Sequence, residues 1–276
     1  MPAPYFSGWV RRRPSQKGGG AAGGRHLQWP DMIKTTWHDR VAVLALDRPA
    51  SLNALDPELL HALCSGMDDA VKRQGACALV LTGEGRAFSA GADLRWFAQR
   101  SAQGQAAQRA ALAEMLDAGG QVVMACHEAA VPVVSAINGP CVGGALGIAL
   151  AADLVLAGRR AFFSVPQVPE LGIVPDLGAT WLLPRVVGQA RAMAMSLLGE
   201  RISAEKAEQC GLAWQCVDDA ELLAQAVAAA RRLAASPMEA VSGTRRLIRD
   251  SWARPLREQL DEEGRWQMKL AGGAAG

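Results

Sequence analysis

From Met32 onward the chain alternates short aliphatic runs with stretches of helical periodicity, and that alternation leaves room for little besides an α/β domain with parallel strand pairing. Strands are expected at Val41 to Asp47, Cys77 to Thr82, Val131 to Ile137 and Asp153 to Ala157. Each runs into a turn rich in Gly, Pro, Asn or Asp: Asp47-Arg48-Pro49, Thr82-Gly83-Glu84-Gly85, Asn138-Gly139-Pro140 and Ala157-Gly158. In such a fold, function concentrates on those turns. Between the strands, Asp56 before Pro57 reads as an N-cap, with Leu59, Leu60, Leu63, Met67 and Val71 on one stripe. A second helix is expected from Gln105 to Cys126. From Ser203 the chain reads as helical apart from Leu212 to Val217, with caps at Ser203, at Asp218 or Asp219, and at Ser236, and a last helical stretch from Met238 to Leu270. The expected organisation is an extension over residues 1–31, a core over 32–218 and a helical region over 219–270.

The extension has a different character. Arg11 to Gly24 reads RRRPSQKGGGAAGG, which has no apolar periodicity and cannot recover the entropy of ordering itself, so disorder is expected there. It is Arg-rich and acid-poor like a transit peptide, yet it shows neither an amphipathic helix nor a secretory h-region, and Met32 could itself open the ordered chain. A net charge of +2 gives no reason to expect nucleic acid. The most apolar stretch, Val142 to Ala157, contains Asp153 and is too short to span a bilayer, so no membrane partner is expected. Six cysteines without a C-x-x-C pair suggest reduced core thiols and a cytoplasmic location rather than a disulfide framework. Four histidines without ligand spacing give no metal site.

Two segments are candidates for chemistry. Phe88-Ser89-Ala90-Gly91-Ala92-Asp93 follows a strand and a Gly-rich turn, and its small residues let a ligand approach the backbone; it could equally be a tight turn into the helix beginning near Asp93. Ile137 to Ala145 leaves a strand into Gly143-Gly144 and opens an apolar helix. The free N–H groups at such a start are oxyanion donors, or the glycines serve close helix packing. A hydrolytic triad built on Ser89 and His127 is disfavoured, because no G-x-S-x-G elbow is present.

In this order and spacing the motifs resemble the crotonase (enoyl-CoA hydratase/isomerase) superfamily. The matching residues are Leu46-Asp47-Arg48-Pro49 with Leu52-Asn53-Ala54-Leu55, Phe88 to Asp93, Ile137 to Gly147, Gly172 to Asp176 with Leu183-Pro184-Arg185, and Leu198 to Ala204 with Gly211-Leu212-Ala213. The resemblance implies a spiral of repeated ββα units with a helical C-terminal region, assembled as a homotrimer or hexamer. It implies an acyl-CoA thioester substrate, with no cofactor beyond the coenzyme A moiety. The thioester oxygen would lie between the backbone N–H groups of Ala92 and Gly144, where fixed donors stabilise an enolate. Coenzyme A would run along Asn53, Ala54 and Leu55, along Ala90, Asp93 and Leu94, and past Gly143. Many relatives carry a basic residue just before Leu-Asn-Ala-Leu; here Ser51 stands there, with Arg48 as a candidate substitute.

The acid–base group decides the reaction. Hydratases of the family use two glutamates; here the first position is Gly147 and the second falls near Gln167 or Val168, with Glu170 a candidate substitute. Asp176 matches the aspartate of double-bond isomerases, although it could also be the N-cap of a helix from Leu177 to Val186. Ile173, Val174 and Trp181 could supply apolar surroundings that raise its pKa. One carboxylate suits a 1,3-proton shift in an enoyl-CoA. The acyl pocket is expected to draw on Trp96, Phe97 and the helix from Gln105. Alternatives are an enoyl-CoA hydratase, or a catalytically silent acyl-CoA-binding subunit, which Gly147 and the short tail after Leu270 would suit.

Overall fold

A computed structural model describes residues 32–272, so the disorder expected over residues 1–31 lies outside the described part. The strands are β1 (Ile33–His38), β2 (Val41–Leu46), β3 (Ala78–Gly83), β4 (Val133–Ile137), β5 (Pro140–Val142), β6 (Leu154–Gly158), β7 (Phe162–Ser164), β8 (Ile202–Ser203) and β9 (Gln215–Val217). The helices are α1 (Pro57–Asp68), α2 (Leu94–Ser101), α3 (Gln105–His127), α4 (Gly144–Leu150), α5 (Ala179–Val187), α6 (Gln189–Leu198), α7 (Ala204–Gln209), α8 (Leu222–Ala234), α9 (Met238–Asp250) and α10 (Leu256–Gly272).

A six-stranded sheet runs β1-β2-β3-β4-β6-β9, parallel throughout except for β1 against β2. Successive side chains point to opposite faces. Val41, Val43, Ala78, Val80 and Leu156 therefore pack on Leu222, Ala226 and Val227 of α8. Ala42, Leu44, Leu79, Leu81 and Ile137 face the main core with α1, α3 and α4. Both faces of β2 and β3 are buried, which is why they read as continuous aliphatic runs, and each fully buried aliphatic side chain contributes about 1.5–3 kcal/mol.

A second sheet, β5-β7-β8, collects the chain each time it leaves the first. Its rungs extend backwards through an isolated bridge, so that Ser89, Cys141, Phe163 and Ile202 lie in one row. Strand, short strand, helix and return: this is the spiral of ββα units that the sequence resemblance implies. Asn53 and Asn138 tie its turns together. Asn53 is fully buried at φ 54°, accepts from Arg48 N–H and donates to the Glu84 and Ala87 carbonyls. Asn138 donates to the Gly83 and Gly85 carbonyls.

Several helix starts differ from expectation. Asp56 caps α1 and Ser203 caps α7 as expected. The residue before α8 is Glu221, without a side-chain cap; Asp218 and Asp219 pair instead with Arg159 at 2.6 Å and Arg160 at 2.9 Å. Ser236 donates to the Arg232 carbonyl rather than capping α9. The stretch from Met238 breaks at Arg254-Pro255 into α9 and α10, because proline cannot continue the preceding hydrogen-bond ladder.

Candidate active site

The two candidate backbone donors arise at matching places in consecutive turns of the spiral. Ser89 pairs with Cys141, and three residues further along each strand stand Ala92 and Gly144. Each lies at a helix start: Ala92 just before Asp93, the N-cap of α2, and Gly144 as the first residue of α4. Leu55 bridges the Ala92 strand through Leu55 N–H to the Gly91 carbonyl and Asp93 N–H to the Leu55 carbonyl, both of which leave Ala92 N–H unused. Gly143 N–H is taken by the Ser164 carbonyl at 2.9 Å, and the next N–H, that of Gly144, is free of any acceptor among the described residues. Gly91, at φ 89°, lets the two segments meet, since a Cβ there would stand 2.8 Å from the Val142 carbonyl oxygen. Free N–H groups at helix starts carry partial positive charge and suit a developing oxyanion.

The loop before α5 brings a carboxylate to this place. Asp176 Oδ1 is 3.3 Å from where a Cβ on Gly144 would stand, and Leu177, next to it, is held at φ 44°, a conformation side-chain-bearing residues adopt at a cost. Gly119 of α3 packs on the Leu177 side chain, and Val123 packs beneath Gly178. Gly147 lies under the same loop, where any Cβ would overlap the Leu177 carbonyl oxygen. The space a side chain at residue 147 would need is thus filled by the loop that carries Asp176.

Asp176 does not cap α5, which begins at Ala179 behind Gly178 with no side-chain cap bond. Its carboxyl accepts from Gln167 Nε2 at 3.3 Å. Burial pushes the Asp176 carboxyl above the ordinary aspartate range, while the Gln167 hydrogen bond pulls it part of the way back. The apolar cover is not the one expected from sequence. Pro175 and Leu177 are buried, whereas Ile173 and Val174 are exposed. Trp181 turns away to His127, with ring centroids 5.6 Å apart, and to the Arg185 guanidinium. Together with Trp252 these line a separate cleft of about 310 Å³ that includes none of Ala92, Gly144 or Asp176.

The remaining sequence candidates divide. Ala90 is half-buried, and Leu94 is 60% exposed at the start of α2. Ala54, Leu55 and Gly143 are buried supports. The Asn53 side chain is used up inside the fold, so it shapes the loop. Asp93 caps α2 through Arg95 and Trp96 N–H and meets Arg48 at 3.2 Å. Arg48 also binds Asp56 and the Ala54 carbonyl, so its guanidinium joins the N-termini of α1 and α2 and is not the free phosphate contact that Ser51 left wanting. Ser89 is buried with its hydroxyl on Gly91 N–H, which removes it as a nucleophile. Glu170 is exposed on the one-turn π-helix Gln167–Leu171, makes no side-chain hydrogen bond among the described residues, and is not joined to Asp176. Trp96 and Phe97 pack edge to face at 5.0 Å against the core. Sequence reasoning does not single out Gln167 as a site residue. Its one sequence signal is that the family's second glutamate falls near Gln167 or Val168.

Residues 36–272 match the family model described as enoyl-CoA hydratase/isomerase. The chain is 38% identical to a "Probable enoyl-CoA hydratase" of Rhodobacter capsulatus, over 83% of this chain and 86% of that one. It is 37% identical to the 1,2-epoxyphenylacetyl-CoA isomerase of Escherichia coli, over 85% and 88%. Among solved structures, an enoyl-CoA hydratase from Polaromonas superimposes with a TM-score of 0.79 at 28% identity, covering 86% of this chain and 90% of that one.

Proposed function

The chain belongs to the enoyl-CoA hydratase/isomerase family, and from that premise we propose that it moves the double bond of an enoyl-CoA with Asp176 as the single proton carrier. The observation that carries this reading is the Leu177 backbone lying over Gly147, which leaves the position of a first hydratase glutamate without room for a side chain and sets Asp176 beside Gly144 instead. In the proposed reaction the carboxylate takes the proton from C2 of a 3-enoyl thioester. Negative charge then gathers on the thioester oxygen, where the Ala92 and Gly144 N–H groups stabilise it, each donor contributing on the order of 3 kcal/mol in sites of this kind. The same carboxyl returns the proton at C4, giving the 2-enoyl product. No water need be activated, and a raised carboxyl pKa suits a group that must both take and release a proton near neutrality. Coenzyme A is the only carrier group this chemistry requires.

The test is NMR of 3-hexenoyl-CoA with the purified protein in deuterated water. A 2-enoyl product with deuterium at C2 or C4 is expected. Accumulation of a 3-hydroxyacyl product would replace this reading with the hydratase one that several relatives' names carry, and binding without exchange would leave a silent subunit.

A further inference from the structure

Gln167 is buried to 4% exposure, yet its hydrogen bonds do not balance. Nε2 donates to Asp176 Oδ1 at 3.3 Å, while Oε1 is enclosed with no partner among the described residues. An enclosed acceptor left unpaired costs about 1–3 kcal/mol, so a side chain that served only the fold would be better as an apolar residue of the same shape. The amide also stands against the glycine that precedes the second donor, since a Cβ on Gly143 would lie 3.5 Å from Nε2. It therefore touches both the glycine beside Gly144 and the Asp176 carboxyl. Among the described residues no ion pair or hydrogen bond joins a charged side chain to Asp176, and after burial the Gln167 amide is the largest influence on its carboxyl.

We infer that Gln167 is a positioning residue for the proton transfer, its amide serving Asp176 in both of the forms through which the carboxyl must pass. Before the transfer Nε2 donates to the carboxylate. When the C2–H bond breaks, its electron pair moves toward the thioester oxygen and the proton forms an O–H bond on Asp176. A half-turn of the terminal amide torsion, which is soft, then presents Oε1 as acceptor to that O–H. Return of the proton to C4 reverses the turn. Arginine or lysine in this place could only donate and would hold the carboxyl ionised, whereas an acidic partner would hold it protonated. The amide favours neither form decisively, and the charge-assisted bond to the carboxylate is the stronger of the two.

This inference rests on Asp176 as the base, and the variants separate the two ideas. In the deuterium-exchange assay Asp176→Asn is expected to be inactive; an active Asp176→Asn overturns the underlying reading whatever Gln167 does. Gln167→Met keeps the side-chain volume. It is expected to bind the CoA ester with KM within about threefold of the parent, to lose about tenfold or more in kcat, and to show the acid limb of its pH profile moved to higher pH. Gln167→Glu sets two carboxyls side by side and should move that limb further up, because like charges resist joint ionisation. If Asp176→Asn is inactive while folded Gln167→Met and Gln167→Glu retain the parent's kcat and acid limb, Gln167 plays no part in the transfer and the inference is wrong. A Gln167→Met melting temperature no lower than the parent's alongside the kinetic losses excludes a merely structural role.

Discussion

Asp176 is a carboxyl held where burial disfavours its charge. Because burial raises its pKa, the folded chain keeps the proton more tightly than the unfolded chain does. Its contribution to stability is then complete below the unfolded value and is lost as pH rises through the folded one. Asp176→Asn is therefore expected to melt above the parent at neutral pH, with the difference closing as pH falls below about 4, the ordinary aspartate value. Calorimetry across that range reads it, and a lower melting point at neutral pH would mean the loop needs the charge. The same variant should lose about a hundredfold or more in turnover with CoA-ester affinity kept. Gly147→Ala tests the ground under the loop. Its Cβ would overlap the Leu177 carbonyl oxygen, so the loop must shift, at a stability cost on the order of 2 kcal/mol and with loss of turnover. An Ala variant as stable and active as the parent would show that the Leu177 backbone does not bar a side chain from residue 147.

At the scale of elements, Arg48 joins two helix starts by binding Asp56 and Asp93, which cap α1 and α2. Arg48→Met strands two largely enclosed carboxylates and is expected to cost about 3 kcal/mol, read from urea unfolding; a loss under about 0.5 kcal/mol would place the clamp at the level of an exposed ion pair. The capped and densely apolar elements are legible in the sequence: β2, β3, β4, β6, α1 and α3 carry long aliphatic runs or a clear stripe. The second sheet is not, because β5, β7 and β8 are two or three residues long and leave no periodicity to read. β1 escapes a reading by apolar runs because its middle residues are exposed. The acidic pair Asp218 and Asp219 looks like a cap in one dimension, but arginines at 159 and 160, distant in sequence, claim it. For the candidate site, motif order picks out the Ala92 and Gly144 segments and Asp176, and the structure sets Asp176 beside Gly144. What sequence lacks is which polar groups are already committed, as Asn53 and Arg48 are, and which side chain, Gln167, reaches Asp176.

On the scale of the whole molecule, the C-terminal helices are fastened to the core at Asp153, whose Oδ1 accepts from Arg245 at 2.8 Å and Arg249 at 2.6 Å while Oδ2 caps the Val133 N–H. Asp153→Asn should release α9 and α10 before the rest unfolds, seen as faster amide exchange confined to residues 238–272; uniform exchange would show that the fastening is not local. Beyond that anchor Trp252, Leu256, Leu260 and Met268 are at least half exposed. So much apolar surface in water is expected to be covered by further copies of the chain, in a trimer or hexamer. Sedimentation equilibrium reads the mass, and Leu256→Glu with Leu260→Glu should reduce it; a parent that sediments as a monomer ends that expectation. Since Ala92 and Gly144 are the same step taken in successive coils, their separation is a lattice constant of the spiral, set by main-chain pairing and indifferent to which side chains decorate it. Among encoded replacements only proline erases an amide hydrogen outright, so every other change of side chain at residues 92 and 144 leaves that pair of N–H groups in the main chain.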